Sequence, residues 1–201
     1  MALNAESMET FNLRSAAILA LEAGDMDMNI LSHILFGFGA KNIVKCNTIA
    51  SAQQQFEKAQ FDLVFVNVVL NNGEDGCDFV EWLRRENRPP NRYAPVLMIS
   101  PHTPPSRVTR TRDCGANYLI AKPLTPGVLL ERILWVAQKP RAFVDVPTYV
   151  GPDRRFKFVG LPVGRKGRRA DDLSEKVGAA TMPNMSQESI DAMFQPMKVS
   201  L

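Results

Sequence analysis

Phe61 to Leu70 reads FDLVFVNVVL, an apolar run broken only by Asp62 and Asn67. It is too short to span a bilayer, and it lacks the two-residue alternation of a half-exposed strand. It therefore predicts a strand buried on both faces, as in a parallel sheet covered by helices. The flanking sequence fits that sheet. Upstream lie a short apolar strand, AAILAL (Ala16–Leu21), and a helix over Asp25–Phe38 with Met28, Leu31 and Leu35 on one face. NIVKC (Asn42–Cys46) is a second strand, and Thr48–Gln60 a helix with Ile49, Ala52, Phe56 and Ala59 inward.

Downstream, a helix over Cys77–Glu86 leads to the strand PVLMIS (Pro95–Ser100). A polar helix over Ser106–Cys114 ends at Gly115, a left-handed cap. Tyr118–Ala121 is the fifth strand. Thr125 then caps a last helix with Pro126 at its first position and Leu129, Ile133 and Val136 facing the core. Five successive βα units predict an α/β fold, a five-stranded, doubly wound parallel sheet. Ligands of such sheets lie at the carboxyl ends of the strands, which here carry Glu22, Asn67, Ser100 and Lys122.

Lys+Arg number 24 against 21 Asp+Glu, a net charge of +3 that does not mark a nucleic-acid binder. Its distribution is more telling. No proline precedes Pro89, and regular patterning fades after Lys139. The stretch 151–169 then carries Arg154, Arg155, Lys157, Arg165, Lys166, Arg168 and Arg169 against Asp153 alone. The expected organisation is an extension over 1–14, a domain over 15–139, a basic and largely disordered arm over 140–182, and an amphipathic helical segment over 183–201. Cys46, Cys77 and Cys114 form no metal-ligand spacing or disulfide framework. With no transmembrane run and no signal-peptide pattern, a cytoplasmic location is expected.

The markers at the strand ends form an ordered set: ILALE, FDLVFVN, Glu74-Asp75-Gly76, Ser100, DCGA (Asp113–Ala116) and Lys122-Pro123. Together they resemble the receiver domain of two-component response regulators, over residues 15–138. The resemblance implies the flavodoxin-like receiver fold and a phosphorylation site. The departures matter as much. Where the family places two adjacent acids that hold Mg²⁺, this chain has Glu22-Ala23. Where it places the phosphoryl-accepting aspartate, this chain has Asn67, and an amide cannot attack phosphorus as a carboxylate does. Tight Mg²⁺ binding is not expected, since the cation requires carboxylate charge. Ser100 and Lys122 match the family's hydroxyl and lysine, so Lys122 is expected to pair with Glu22 or to donate to the Asn67 oxygen.

Two further features lie beyond the domain. YVGPDRR (Tyr149–Arg155) and GRKGRR (Gly164–Arg169) present paired guanidinium forks suited to phosphate and to the guanine edge. A receiver followed by an arginine-rich tail is similar to chemotaxis-type receivers that respond to cyclic di-GMP, which implies Arg154, Arg155, Arg168 and Arg169 as nucleotide ligands. Single-stranded nucleic acid, an anionic membrane surface or an acidic protein would satisfy the same chemistry. In Asn184–Met197, Ser186 is the expected N-cap, and Ile190, Met193, Phe194 and Met197 form a narrow apolar stripe preceded by Met185. SQESIDAMF (Ser186–Phe194) resembles the N-terminal peptide of flagellar motor switch proteins. That implies docking on the receiver's own fourth-helix, fifth-strand, fifth-helix face or on a neighbour's.

The expectation is a non-enzymatic signalling adaptor, a pseudo-receiver in a two-component, chemotaxis or motility pathway, whose partner is a signalling or flagellar-motor protein. The alternatives are a cyclic di-GMP effector and an ordinary phosphorylated response regulator. No DNA-binding domain is expected after the receiver-like part.

Overall fold

A computed structural model of the chain describes residues 12–86, 89–139, 141–154 and 185–194. Strands β1 (Ala17–Leu21), β2 (Asn42–Cys46), β3 (Leu63–Asn67), β4 (Val96–Ser100) and β5 (Tyr118–Ala121) form one parallel sheet in the order β2-β1-β3-β4-β5. The helices between them are α1 (Asp25–Gly37), α2 (Ile49–Lys58), α3 (Gly76–Arg85), α4 (Pro105–Asp113) and α5 (Pro126–Gln138). Residues of β3 and β4 are buried throughout, as helices on both faces require. Local chemistry sets the helix starts. Thr48 and Ser51 form a reciprocal capping box on α2, Asp75 accepts from the Cys77 amide at 2.9 Å, and Thr125 accepts from the Val128 amide at 3.3 Å.

Two readings shift in detail. The central strand is shorter than Phe61–Leu70, because the chain leaves the ladder after Asn67. Leu70 N–H turns back to the Glu74 carbonyl at 2.9 Å, and Val69 is exposed. Ala59 is exposed rather than inward, since α2 ends one residue before it and it serves as the C-cap.

Of the stretch 140–182, expected to be largely disordered, the structure describes residues 141–154. They form an antiparallel hairpin, β6 (Phe143–Val146) with β7 (Tyr149–Pro152), turning at Pro147 and Thr148. The hairpin seats against the amino-terminal end of the sheet, where Gly115 makes close approach possible. Gly115 has φ +97°, and a Cβ there would lie 2.6 Å from the Val150 carbonyl oxygen. Arg84, 1% exposed, ties together the chain beneath. It donates from Nε to the Gly115 carbonyl (3.0 Å), from Nη1 to those of Arg92 and Ala94 (2.7 and 2.8 Å), and from Nη2 to Asn117 Oδ1 (3.1 Å). Burial lowers its pKa to about 10, so it remains charged at neutral pH. The hairpin's Phe143 packs edge-on against Tyr93 at 4.7 Å, and Asp145 pairs with Arg92 at 2.9 Å.

A short helix, α6 (Gln187–Phe194), lies over the β5 edge of the sheet and buries Ile190 and Phe194 completely. Residues 1–11 of the expected N-terminal extension and 155–184 of the arm lie outside the described residues. Among the described residues no helix is long and apolar enough to cross a membrane.

Candidate functional site

The carboxyl ends of the strands bring Glu22, Asn67 and Lys122 together, because β1, β3 and β5 run parallel and end at the same level. Glu22 is the hub. Its Oε1 accepts from the Asn67 side-chain amide and, at 3.1 Å, from the Ala23 amide; its Oε2 faces Lys122 Nζ at 3.4 Å. Asn67 and Lys122 thus meet through Glu22 rather than through each other. Lys122 Nζ lies closer still, at 2.7 Å, to Asp27 on the first turn of α1. Asn67 Oδ1 accepts from the Val69 amide at 3.4 Å, the first step of the loop beyond β3.

Ser100 does not join the group. Its hydroxyl donates to the His102 carbonyl at 2.6 Å and accepts from the His102 amide at 3.2 Å, so it is folded into its own turn. The loop after β3 closes over Ala23 instead, with Asn71 Nδ2 donating to the Ala23 carbonyl at 2.8 Å. Gly76 permits α3 to start against the end of β3, since a Cβ there would lie 2.1 Å from the Asn67 carbonyl oxygen.

The Glu22 carboxyl is raised above its ordinary value. Desolvation by burial is the largest cause, opposed by Lys122 and by the Asn67 hydrogen bond. Mg²⁺ does not fit this set. Both Glu22 oxygens are engaged by donors, Ala23 offers no side-chain ligand, Asn67 turns its amide nitrogen toward Glu22, and Asp27 is held by Lys122. Among the described residues no cluster of three or more His, Cys, Asp or Glu is arranged to hold a metal.

At the opposite end of the sheet, Arg154 is the one arginine of the expected nucleotide set among the described residues. Its guanidinium lies 3.9 Å over the Tyr149 ring and pairs with Asp113. Arg155, Arg168 and Arg169 lie outside the described residues.

The third candidate region is the seat of α6. Gln187 Oε1 accepts from the Ala121 amide at 2.8 Å, and its Nε2 donates to the Leu119 carbonyl at 3.4 Å and to Asp191 Oδ1 at 2.7 Å. A side-chain amide thereby satisfies the donor and acceptor that edge strand β5 would otherwise present. Asp191 also pairs with Arg132 of α5, which lies 5.0 Å over the Tyr118 ring. Phe194 packs on Tyr118 at 5.1 Å, and Met185 exchanges backbone and hydroxyl bonds with Thr103 at 2.8 and 3.1 Å. Met185 and Met193 are partly buried against the same core. Asp27, Thr103, Arg132, Gln187 and Asp191 were not singled out by sequence reasoning. The signals were an arginine on the otherwise apolar α5 face and the Gln187/Asp191 spacing of one helical turn.

A five-stranded sheet in this order, with an acid and a lysine at the ends of β1 and β5, is that of the receiver class of signalling domain, from which the Asn67 amide departs. Residues 18–134 match the response regulator receiver domain, and the chain belongs to that family. It is similar to the sensory/regulatory protein RpfC of Xanthomonas campestris pv. campestris, 24% identical over 147 residues that cover 73% of this chain and 20% of that protein. The chain thus spans about a fifth of the length of the curated relatives it matches. Among solved structures it resembles the Vibrio cholerae chemotaxis protein CheY4 (25% identity, TM-score 0.55, covering 60% of this chain and 98% of that one). It also resembles the signal receiver domain of a signal transduction histidine kinase from Syntrophus aciditrophicus (24%, TM-score 0.54, covering 66% and 99%). The fold is that of two-component and chemotaxis-type receivers. The hairpin and α6 lie beyond residues 18–134, the part that matches the family model.

Proposed function

We propose that this receiver works without aspartyl phosphorylation, as a non-catalytic adaptor that signals by protein contact in a two-component or chemotaxis-motility pathway. One observation carries the reading: the position of the phosphoryl acceptor holds Asn67, whose amide donates to the only carboxylate on the neighbouring strand end. The amide nitrogen's lone pair is delocalised and the group is neutral, so it supplies neither nucleophile nor charge for a cation. Lys122, the group that would meet a transferred phosphoryl, is held between Glu22 and Asp27. The site is closed on itself. Its partner is then a signalling or motor protein that recognises surface shape rather than a phosphorylated state.

The test is incubation of the full chain with a small-molecule phosphodonor and Mg²⁺, followed by intact mass. No adduct is expected. A stable adduct of one phosphoryl mass would return the protein to the ordinary phosphorylated regulators.

A second reading, a cyclic di-GMP effector, is favoured by the Tyr149–Arg154 contact at the root of the basic arm, a guanidinium already seated over an aromatic ring. Its pairing with Asp113 makes Arg154 an anchor of the arm, and leaves recognition to Arg155, Arg168 and Arg169. Calorimetric titration of the nucleotide into the full chain, and into a variant with those three arginines changed to alanine, tests it. Heat that disappears in the variant supports the effector; no heat with either removes it.

A further inference from the structure

Two cysteines far apart in the sequence meet in the core. The thiol of Cys77, in the first turn of α3, is hydrogen-bonded to that of Cys114, the C-cap of α4. Cys114 Sγ also lies 3.8 Å from Met98 Sδ of β4, and it donates to the Thr111 carbonyl at 3.0 Å. All three sulfur residues are buried. Two thiols and a thioether therefore converge at Cys114, which their spacing along the chain does not reveal.

The distance between the sulfurs decides what they can hold. A disulfide needs its sulfurs at about 2.05 Å. Sulfurs that share one cation, each bonded at about 2.3 Å, stand about 4 Å apart instead. Met98 and Cys114 already have that separation. Thiolate and thioether together are soft ligands suited to Cu(I). A closed zinc site takes four ligands, and no cluster of three or more His, Cys, Asp or Glu is arranged to hold a metal among the described residues.

The local charge favours an anionic centre. Buried Arg84 donates to three backbone carbonyls and one side-chain amide, all neutral. Buried charges are ordinarily paired. Cys114 is within the electrostatic reach of this guanidinium. Both line a small cavity of about 70 Å³ beside the hairpin, together with Glu81 and Asp113. Those two carboxylates are engaged elsewhere, Glu81 by Arg110 and Asp113 by Arg112 and Arg154.

We propose that Cys77, Cys114 and Met98 form a binding site for a single Cu(I) ion, held by two thiolates and one thioether. Each thiol releases its proton to solvent as its sulfur–copper bond forms, and no oxidation state changes. Two thiolates and one monovalent cation leave a charge of −1, which Arg84 offsets. The hydrogen bond to Cys114 and burial both push the Cys77 thiol up, so binding weakens as pH falls. The ion ties α3 and α4 to β4. It involves none of Glu22, Asn67 and Lys122, so it stands apart from the reading of the phosphorylation site.

The test titrates the full, reduced chain with Cu(I) under anaerobic conditions, in competition with the chromophoric chelator bathocuproine disulfonate. One ion per chain is expected, with thiolate-to-copper absorption in the ultraviolet. The thermal midpoint is expected to rise, because the site exists only in the folded chain. Met98→Leu is expected to weaken binding about tenfold, and Cys77→Ser or Cys114→Ser at least about a hundredfold. Cys46→Ser is expected to change nothing. Failure to take copper from the chelator, loss of binding in Cys46→Ser, or indifference to Met98→Leu would overturn the proposal. So would a lowered thermal midpoint, which marks capture of thiols by the unfolded chain. Should a serine variant not fold, Met98→Leu, Cys46→Ser and the wild-type midpoint still decide.

Discussion

Lys122 Nζ lies 2.7 Å from the Asp27 carboxylate and 3.4 Å from that of Glu22, so the lysine of this receiver bridges α1 to the end of β1. One ammonium thereby faces two carboxyl groups within the protein. The third group at the site, Asn67, is already neutral.

That arrangement predicts what restores phosphochemistry. Asn67→Asp alone supplies a nucleophile but only a second carboxylate beside Glu22, with no ligand at Ala23. Its metal binding is expected to stay weak. Adding Ala23→Asp completes three adjacent carboxylates, and this pair of changes is expected to bring both calorimetric Mg²⁺ binding and a phosphodonor adduct. A double variant inert to both would mean that the closed loop over Ala23, held by Asn71, is the true barrier.

Glu22 gives a pH prediction. Burial raises its carboxyl above 4.5, so the folded chain holds this proton to higher pH than the unfolded chain does. Its contribution to stability is full below about pH 4.5 and declines as pH rises through the folded value. Glu22→Gln lacks that decline. Urea midpoints of wild type and variant, compared between about pH 4 and 8, are expected to move in favour of the variant as pH rises, then level off. A constant difference across that range would show that folding does not raise the Glu22 carboxyl.

Arg84 is predicted to hold more stability than any surface arginine. Three backbone carbonyls and one side-chain amide accept from it in a buried place. Arg84→Met preserves volume and leaves those acceptors unsatisfied, for an expected loss of about 3 kcal/mol in urea unfolding. Arg84→Lys is expected to recover little, because an ammonium cannot reach acceptors arrayed around a planar fork. Full recovery by lysine would show that charge alone matters.

Phe194→Ala is expected to behave unlike a core truncation. A buried phenylalanine of the sheet would lose about 3–5 kcal/mol; if α6 undocks as a unit, the loss is capped at the free energy of docking. Ile190→Ala combined with Phe194→Ala is accordingly expected to be hardly worse than Phe194→Ala alone. Trp135, whose ring lies 5.3 Å from Tyr118 beneath α6, reports the undocking by fluorescence. Additive losses would show that α6 is an integral part of the fold.

The receiver fold was legible because its evidence is local: apolar runs of strand length, helical periodicity, a capping threonine, and glycines at turns. Asn67 and Ala23 were legible as departures at fixed places in that pattern. The hairpin was not, because its strands are short, interrupted by Pro147 and closed by Gly151-Pro152, the residues that ordinarily break a strand. Its order comes from partners far along the chain, Tyr93, Arg92 and Gly115, which no periodicity reveals. Ser100 was assigned by place alone, and its turn toward His102 depends on a loop conformation that sequence does not fix. The apolar stripe of α6 was visible, but not that Gln187 would meet a strand edge, since that needs the geometry of both.

The contact of Gly115 with the hairpin moves the end of the folding unit. The matched family residues stop at 134, and the helical pattern stops near 139, yet a chain cut at either place would strip the cover from Gly115, Arg84 and Tyr93. A cut after Arg154, whose side chain pairs with Asp113 and lies over Tyr149, keeps the hairpin but still uncovers the β5 edge on which α6 sits. A receiver cut shorter by one element would remain soluble only by finding another surface to lean on, and its self-association would then be an artefact of the cut.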